Sequence, residues 1–208
     1  MSEIRIKAVR EPLARPYLAR AAVTTLGRSA AMGLLPERQV VETLDLDALR
    51  AMARHIGEAG VASAALAELT AWTRGDPRRL KVLLEQVDQA LVASPVPDRE
   101  WGELLRLLGE PLLAALVSVS RSSLRRYAAR QRATPDAVAA RLHHLALVVG
   151  NLAGSYNAYG IRRWFERRRA RLKGRAPREV LKGTWSPDAQ SSREVLALSE
   201  ALLDAPAT

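Results

Sequence analysis

The chain has 208 residues, of which 48% are hydrophobic and 26% charged, an ordinary composition for a globular protein with enough material for a core. Lys and Arg outnumber Asp and Glu by 32 to 22, giving a formal net charge of +10. This excess favours polyanionic partners such as nucleic acid or acidic protein surfaces, although an Arg-rich proteome is an alternative explanation. The absence of cysteine excludes disulfides, thiolate metal sites and a cysteine nucleophile.

The N-terminal residues carry charges throughout and lack the apolar segment of a signal peptide. No stretch reaches the roughly 18 uninterrupted apolar residues that a membrane-spanning helix needs. We therefore expect a cytoplasmic protein with no membrane association.

Prolines and glycines interrupt residues 1–40, which we predict to be an extension of uncertain order. Residues 41–96 follow a helical spacing of apolar residues and form a predicted N-terminal helical region. One of its helices begins with Asp76 as the N-cap and a proline in the first turn. The segment "ASPVPD" is a predicted linker, with a domain boundary near residue 96 and Asp98 as the cap of the next helix.

Residues 97–133 contain the pattern of a helix-turn-helix. In "EPLLAALVSVSRSSLRRYAARQR", Ser120 is a good N-cap for a second helix whose inner side holds Leu124 and Tyr127. Short polar and Arg side chains then face outward, as a recognition helix requires. A basic, solvated helix face is the alternative. The predicted DNA-binding residues are Ser120, Arg121, Ser122, Ser123, Arg125, Arg126 and Arg130.

Residues 134–208 are predicted to be helical as well. A long helix starts at Thr134-Pro135-Asp136 and is expected to end near Gly160. His143 and His144 lie next to each other in it and point about 100° apart, so they cannot chelate one metal ion. No segment alternates with a period of two for long enough to indicate a sheet. The predicted fold class is therefore an all-α helical bundle.

The C-terminal half resembles the antitoxin family named for the Xre, MbcA and ParS proteins. The resemblance rests on "AARLHHLALVVGNLAGSYNAYGIRRWFERRRARLKGRAPREVL", on the spacing of Leu172, Gly174 and Pro177, and on Trp185. It extends from about Glu110 to the C-terminus and does not include residues 1–95. It implies a helix-turn-helix followed by a small C-terminal helical domain that binds a toxin.

The partner that the resemblance implies is a RES-domain toxin that degrades NAD, whose active-site cleft the C-terminal region would cover. The toxin-binding residues predicted on this basis are Tyr159, Ile161, Arg162, Trp164, Phe165, Arg168, Arg171 and Trp185. Core packing is the alternative for Trp164 and Phe165. Trp185 has the alternative of fixing the last helix. Family members usually have a proline where this chain has Arg168, which makes the geometry of the following loop uncertain.

No catalytic constellation, phosphate-binding glycine loop or metal-ligand cluster is present in the sequence, so we expect neither an enzyme nor a cofactor. Two hypotheses remain. The chain is an antitoxin of a type II toxin-antitoxin system that blocks a RES-type toxin and represses its own operon through operator DNA. Alternatively, it is a helix-turn-helix regulator whose C-terminal domain serves only oligomerisation. Either protein is expected to be a homo-oligomer, because such repressors usually bind two half-sites.

Overall fold

A computed structural model of the chain describes residues 5–36, 40–73 and 75–203. Over these residues the fold is all-α, which confirms the predicted class. The helices are α1 (Pro16–Ala31), α2 (Leu46–Gly57), α3 (Ser63–Ala71), α4 (Pro77–Ala93), α5 (Pro97–Leu108), α6 (Glu110–Val117), α7 (Arg121–Ala128), α8 (Asp136–Ala153), α9 (Ala158–Glu166), α10 (Pro177–Val180) and α11 (Gln190–Glu200). A short 3₁₀ helix, Ala170–Leu172, lies between α9 and α10.

Two short strands accompany the helices and were not predicted. The strand β1 (Arg5–Val9) pairs in parallel with β2 (Val40–Leu44), with Ile6 opposite Val41. Helix α1 connects them, so this part of the chain is a small strand–helix–strand unit. Five-residue strands are too short for a clear period-two pattern.

The N-terminal segment is not a loose extension, because α1 lies in the core. Leu18, Ala22, Leu26 and Ala30 repeat every four residues, and all are buried. Gly27 lies in the middle of this apolar side of the helix, and this apparent helix breaker made the segment look irregular in the sequence. The prediction of uncertain order for residues 1–40 is therefore wrong for α1.

Helices α1 and α8 cross at two glycines. A Cβ atom built on Gly27 would lie 2.7 Å from the carbonyl oxygen of Gly150, and one built on Gly150 would lie 2.7 Å from the Cα of Arg28. Such distances are too short for a real Cβ, so any side chain at either position would push the two backbones apart. The absence of side chains allows the two helices to touch through their backbones.

A buried polar network lies beside this crossing and joins four helices. The Arg28 side chain is 8% exposed, and its Nη1 donates to Asp88 Oδ2 on α4 at 2.6 Å. Its Nε donates to Asn151 Oδ1 on α8 at 3.2 Å, and its Nη2 lies 3.4 Å from Glu200 Oε1 on α11. Asn151 Nδ2 in turn donates to Ser199 Oγ at 3.0 Å. Helices α1, α4, α8 and α11 are thereby fixed relative to one another.

Residues on both sides of position 96 belong to one continuous hydrophobic cluster. The prolines of "ASPVPD" therefore form a turn between two packed helices and do not separate two cores. Asp98 does not cap α5, which begins at Pro97 with Val96 at the N-cap position. The Asp76 cap is confirmed, since its side chain accepts a hydrogen bond from the backbone N–H of Arg78.

The long helix predicted from Thr134 to Gly160 is two helices. Helix α8 ends at Ala153, and Asn157 caps α9 by accepting a hydrogen bond from the Gly160 N–H at 2.9 Å. Within the described ranges no single helix has both the length and the apolarity to cross a membrane. Helices α8 and α9 meet the criteria of length and apolarity only when they are taken together, and the chain bends by 118° between them.

The glycine crossing predicts the effect of a single methyl group. Gly150→Ala should lower the free energy of unfolding by about 1–3 kcal/mol, because the new Cβ overlaps the α1 backbone. Gly102→Ala is the matched control, since a Cβ there meets nothing within 4 Å in another helix. It should raise stability by about 0.5–1 kcal/mol through helix propensity. Urea unfolding measures both, and equal stabilisation by the two variants would contradict the crossing.

Candidate functional site

Helices α6 and α7 are joined by a turn of residues 118–120. Ser118 reverses the chain in the left-handed conformation, with φ 59°, and the Val119 N–H donates to the Ala114 carbonyl at 3.1 Å. Ser120 then caps α7, because its Oγ accepts a hydrogen bond from the Ser123 N–H at 3.1 Å. The turn and the Ser120 cap lie where the sequence predicted them.

One side of α7 is packed and the other faces solvent. Leu124 and Tyr127 are buried, and the Tyr127 ring stacks on Trp101 of α5 with the ring centroids 5.9 Å apart. The solvent-facing residues are Ser120, Arg121, Ser122, Arg125 and Arg126. An eight-residue helix thus presents three guanidinium groups and two hydroxyl groups on one exposed surface, which we call the α7 face.

The arginines of the α7 face differ in their partners. Arg125 forms a bidentate pair with Glu110, with Nε–Oε2 and Nη2–Oε1 distances of 3.0 and 2.9 Å. These hydrogen bonds lower the pKa of Glu110 and raise the pKa of Arg125. Arg121 and Arg126 make no hydrogen bond or salt bridge within the described ranges. They can therefore contact a polyanion without first breaking an ion pair.

Two of the predicted DNA-binding residues lie off this face. Ser123 is half-buried, and its Oγ accepts a hydrogen bond from Ser120 Oγ at 3.0 Å. Arg130 lies beyond the end of α7 with φ 56°, and its Nη2 donates to the Asp98 carbonyl at 3.3 Å. The helix is shorter than the charge pattern suggested, because the chain turns after Ala128.

Four of the predicted toxin-binding residues are buried inside the chain and cannot form a contact surface in this conformation. They are Ile161, Trp164, Phe165 and Trp185. Trp164 and Phe165 pack edge to face with their centroids 5.3 Å apart. Trp185 Nε1 donates to the Leu116 carbonyl at 2.8 Å, and its ring meets His144 edge-on at 5.2 Å. These aromatic residues are therefore core residues, as the alternative interpretation of Trp164 and Phe165 predicted.

The residues that carry the family resemblance are structural. Leu172 and Pro177 are buried, and Gly174 has φ 77°, a conformation that favours glycine. The Arg169 N–H donates to the Arg175 carbonyl, and the Gly174 N–H donates to the Arg169 carbonyl, both at 3.0 Å. These bonds close residues 167–175 into a compact segment, which we call the basic loop.

The other predicted toxin-binding residues are more accessible. Tyr159 is 66% exposed, and Arg168 and Arg171 project into solvent from the basic loop. Arg162 is half-buried, and its Nη1 donates to the Leu107 carbonyl at 2.8 Å, so it mainly ties α9 to α5. Sequence reasoning left further arginines out of the predicted site. Among them are Arg163, Arg167 and Arg169, and their signal in the sequence is the basic run from Arg162 to Arg175.

The α7 face and the C-terminal helices belong to one packed unit. Arg141 of α8 donates to the carbonyls of Trp185 and Val117, at 2.7 and 3.3 Å. Ser118 Oγ, in the turn before α7, donates to the Gly183 carbonyl. Hydrogen bonds therefore connect the segment around Trp185 to the end of α6 and to the turn before α7.

Both histidines of α8 are buried, but their environments are opposite. His143 Nδ1 lies 2.6 Å from Oε1 of the fully buried Glu100, and Nε2 lies 3.0 Å from the Val92 carbonyl. Burial by itself lowers the pKa of His143, but Glu100 and the Val92 carbonyl together outweigh it, so that the pKa is raised. Burial lowers the pKa of His144 to about 4. Over the described part of the chain, no group of three or more His, Cys, Asp or Glu side chains could hold a metal ion.

Comparisons with known proteins add no relative. No protein-family model matches the sequence, and neither the curated proteins nor the solved structures contain a significant match. Inferences about function therefore rest on the residues of this chain.

The two histidines predict opposite effects of pH on stability. His144 is protonated more easily in the unfolded chain than in the folded one. Its contribution to the free energy of unfolding is therefore present above pH 6.5 and is lost as the pH falls towards 4. The contribution of His143, whose folded pKa is raised, is present below pH 6.5 and is lost as the pH rises through that folded pKa.

His144→Phe keeps an aromatic ring against Trp185 and removes the buried titration. We expect the loss of unfolding free energy between pH 6.5 and pH 4 to be smaller in this variant than in the wild type. Denaturant unfolding across this range measures the difference, and the common contributions of carboxylates cancel in the comparison. An identical slope in both proteins would show that His144 is not a buried neutral group.

Proposed function

We propose that the chain is an antitoxin that inhibits a RES-type, NAD-degrading toxin and represses its own operon by binding operator DNA. The proposal rests on the α7 face, and on a C-terminal region that resembles the Xre, MbcA and ParS antitoxin family. In this proposal the protein is not an enzyme and acts in the cytoplasm.

The DNA-binding half of the proposal rests on the exposed charges of α7. Arg121, Ser122 and Arg126 face solvent opposite the buried Leu124 and Tyr127. Guanidinium groups can neutralise phosphates or bind guanine, and serine hydroxyls can bond to either phosphates or bases. The Arg125–Glu110 pair is exposed, so salt and solvent screen it and a phosphate can compete for Arg125. Two copies of α7 in a homo-oligomer would contact two half-sites.

The toxin-binding half rests on the residues that remain accessible. Tyr159, Arg168 and Arg171 are the exposed members of the predicted set and lie on α9 and the basic loop. The buried aromatic residues have a different role in this proposal, which is to hold that loop in shape. The surface that contacts the toxin is therefore polar and cationic.

The α7 face predicts a specific effect on DNA binding. Arg126→Ala should weaken binding to a duplex from the promoter of the chain's own operon. If Arg126 contacts phosphate, the slope of log affinity against log salt should become shallower by about 1. Arg99→Ala is the charge-matched control, because Arg99 is exposed on α5. Fluorescence anisotropy in a salt series measures both, and equal weakening by the two variants would contradict a specific role for α7.

Neutralisation of the toxin should depend on the basic loop and not on α7. In co-expression with a RES-domain toxin gene, the wild type and Arg126→Ala should restore growth. The double variant Arg168→Glu/Arg171→Glu should restore it less, because it reverses two exposed charges of the proposed surface. Full rescue by the double variant would remove the basic loop from the interface. Operator binding without any rescue by the wild type would instead support a regulator whose C-terminal domain serves only oligomerisation.

A further inference from the structure

Arg169 differs from every other arginine that the structure describes as buried or half-buried. The others are Arg28, Arg50, Arg141 and Arg162. Each of them donates to a carboxylate, amide or carbonyl oxygen. The side chain of Arg169 donates to no acceptor among the described residues, and its buried Nε has no hydrogen-bond partner. A buried N–H donor without an acceptor is unfavourable, so the Nε of Arg169 leaves the site incomplete as it stands.

The surroundings of Arg169 hold the side chain in place without neutralising it. Its guanidinium lies over the Trp164 ring, 5.4 Å from the centroid, and its backbone closes the basic loop. Burial lowers the pKa of Arg169; Tyr156 acts in the opposite direction, and the nearby Arg167 lowers the pKa further. This part of the chain thus positions a cation in advance but does not supply its counter-charge.

Arg169 lines a cleft of about 350 Å³ between α9, the turn that precedes it and the basic loop. Arg163, Arg167 and Glu166 also line it, with Tyr156 and Trp164 as its aromatic wall. Glu166 is shared between Arg163 and Arg178, at 3.4 and 3.6 Å. Arg167 and Arg169 remain without a carboxylate partner within the described ranges, which leaves two uncompensated positive charges in one cleft.

We propose that this cleft, which we call the Arg169 cleft, binds a small phosphate-bearing molecule through Arg167 and Arg169. Phosphate matches the planar fork of a guanidinium with two parallel hydrogen bonds, and a phosphomonoester or diphosphate carries the two or more charges that the cleft lacks. The volume of the cleft falls in the range of small-molecule sites, roughly 300–1,000 Å³. The partly exposed ring of Tyr156 offers an apolar surface for the organic part of such a ligand.

Inorganic pyrophosphate and ADP are suitable probes, with a short DNA duplex as the alternative source of phosphate. Isothermal titration with the full chain should show saturable binding of pyrophosphate and ADP. Intrinsic tryptophan fluorescence should change on binding, because Arg169 covers Trp164. The proposal would be overturned if neither pyrophosphate nor ADP bound, or if only the duplex bound at this cleft.

Three variants locate the site. Arg169→Gln and Arg167→Gln should each weaken pyrophosphate binding about tenfold or more, the usual loss for a charge-assisted hydrogen bond. Arg175→Gln should change it less than about threefold, because Arg175 is exposed on the same loop but does not line the cleft. Arg167 is exposed, so its variant remains informative if Arg169→Gln fails to fold. Equal weakening by all three would indicate attraction to the net charge alone and contradict a built site.

The test is independent of the toxin and of the operator. Loss of neutralisation or of DNA binding would leave a pyrophosphate site intact. Conversely, a chain that neutralises a toxin but binds neither pyrophosphate nor ADP would keep the proposed function and lose the Arg169 cleft.

Discussion

The backbone contact between α1 and α8 at Gly27 and Gly150 is the constraint on which the rest of the fold depends. It brings the N-terminal helix against the centre of α8, and the Arg28 network then fixes α4 and α11 around that point. A buried ionic network contributes little net stability after desolvation, but it tolerates few alternative arrangements. Here the glycines set the distance between the helices and the network sets their register. The helices before and after residue 96 therefore form one body.

Both proposed surfaces extend from this body. Trp185 and Arg141 tie the end of α6 to the C-terminal segment, so the α7 face is oriented by the same packing that supports α9. Trp164 of α9 supports the basic loop by packing against the half-buried Arg169, while Arg167, Arg168 and Arg171 remain exposed. The two proposed surfaces thus consist of different residues but share one scaffold. The Ser118–Gly183 hydrogen bond joins the turn before α7 to the segment between α10 and α11.

Local signals in the sequence were sufficient for some elements and not for others. The caps at Asp76 and Ser120 and the buried side of α7, with Leu124 and Tyr127, follow from nearby residues and were predicted correctly. Helix α1 was missed because a glycine at a helix crossing looks like a helix breaker until its partner, Gly150, is known. Trp164 and Phe165 could be surface or core, since a nine-residue helix gives too few turns to show which side is buried. The missing acceptor of Arg169 is visible only in three dimensions.

The central claim is that one body carries two distinct cationic surfaces, one for DNA on α7 and one for the toxin on the basic loop. Hydrogen–deuterium exchange tests this claim most directly when it is measured on the chain alone, with operator duplex and with the toxin. The account predicts that DNA slows exchange in residues 118–128 and leaves residues 167–175 unchanged, whereas the toxin has the reverse effect. Protection of the basic loop by DNA, with no change in α7, would contradict it.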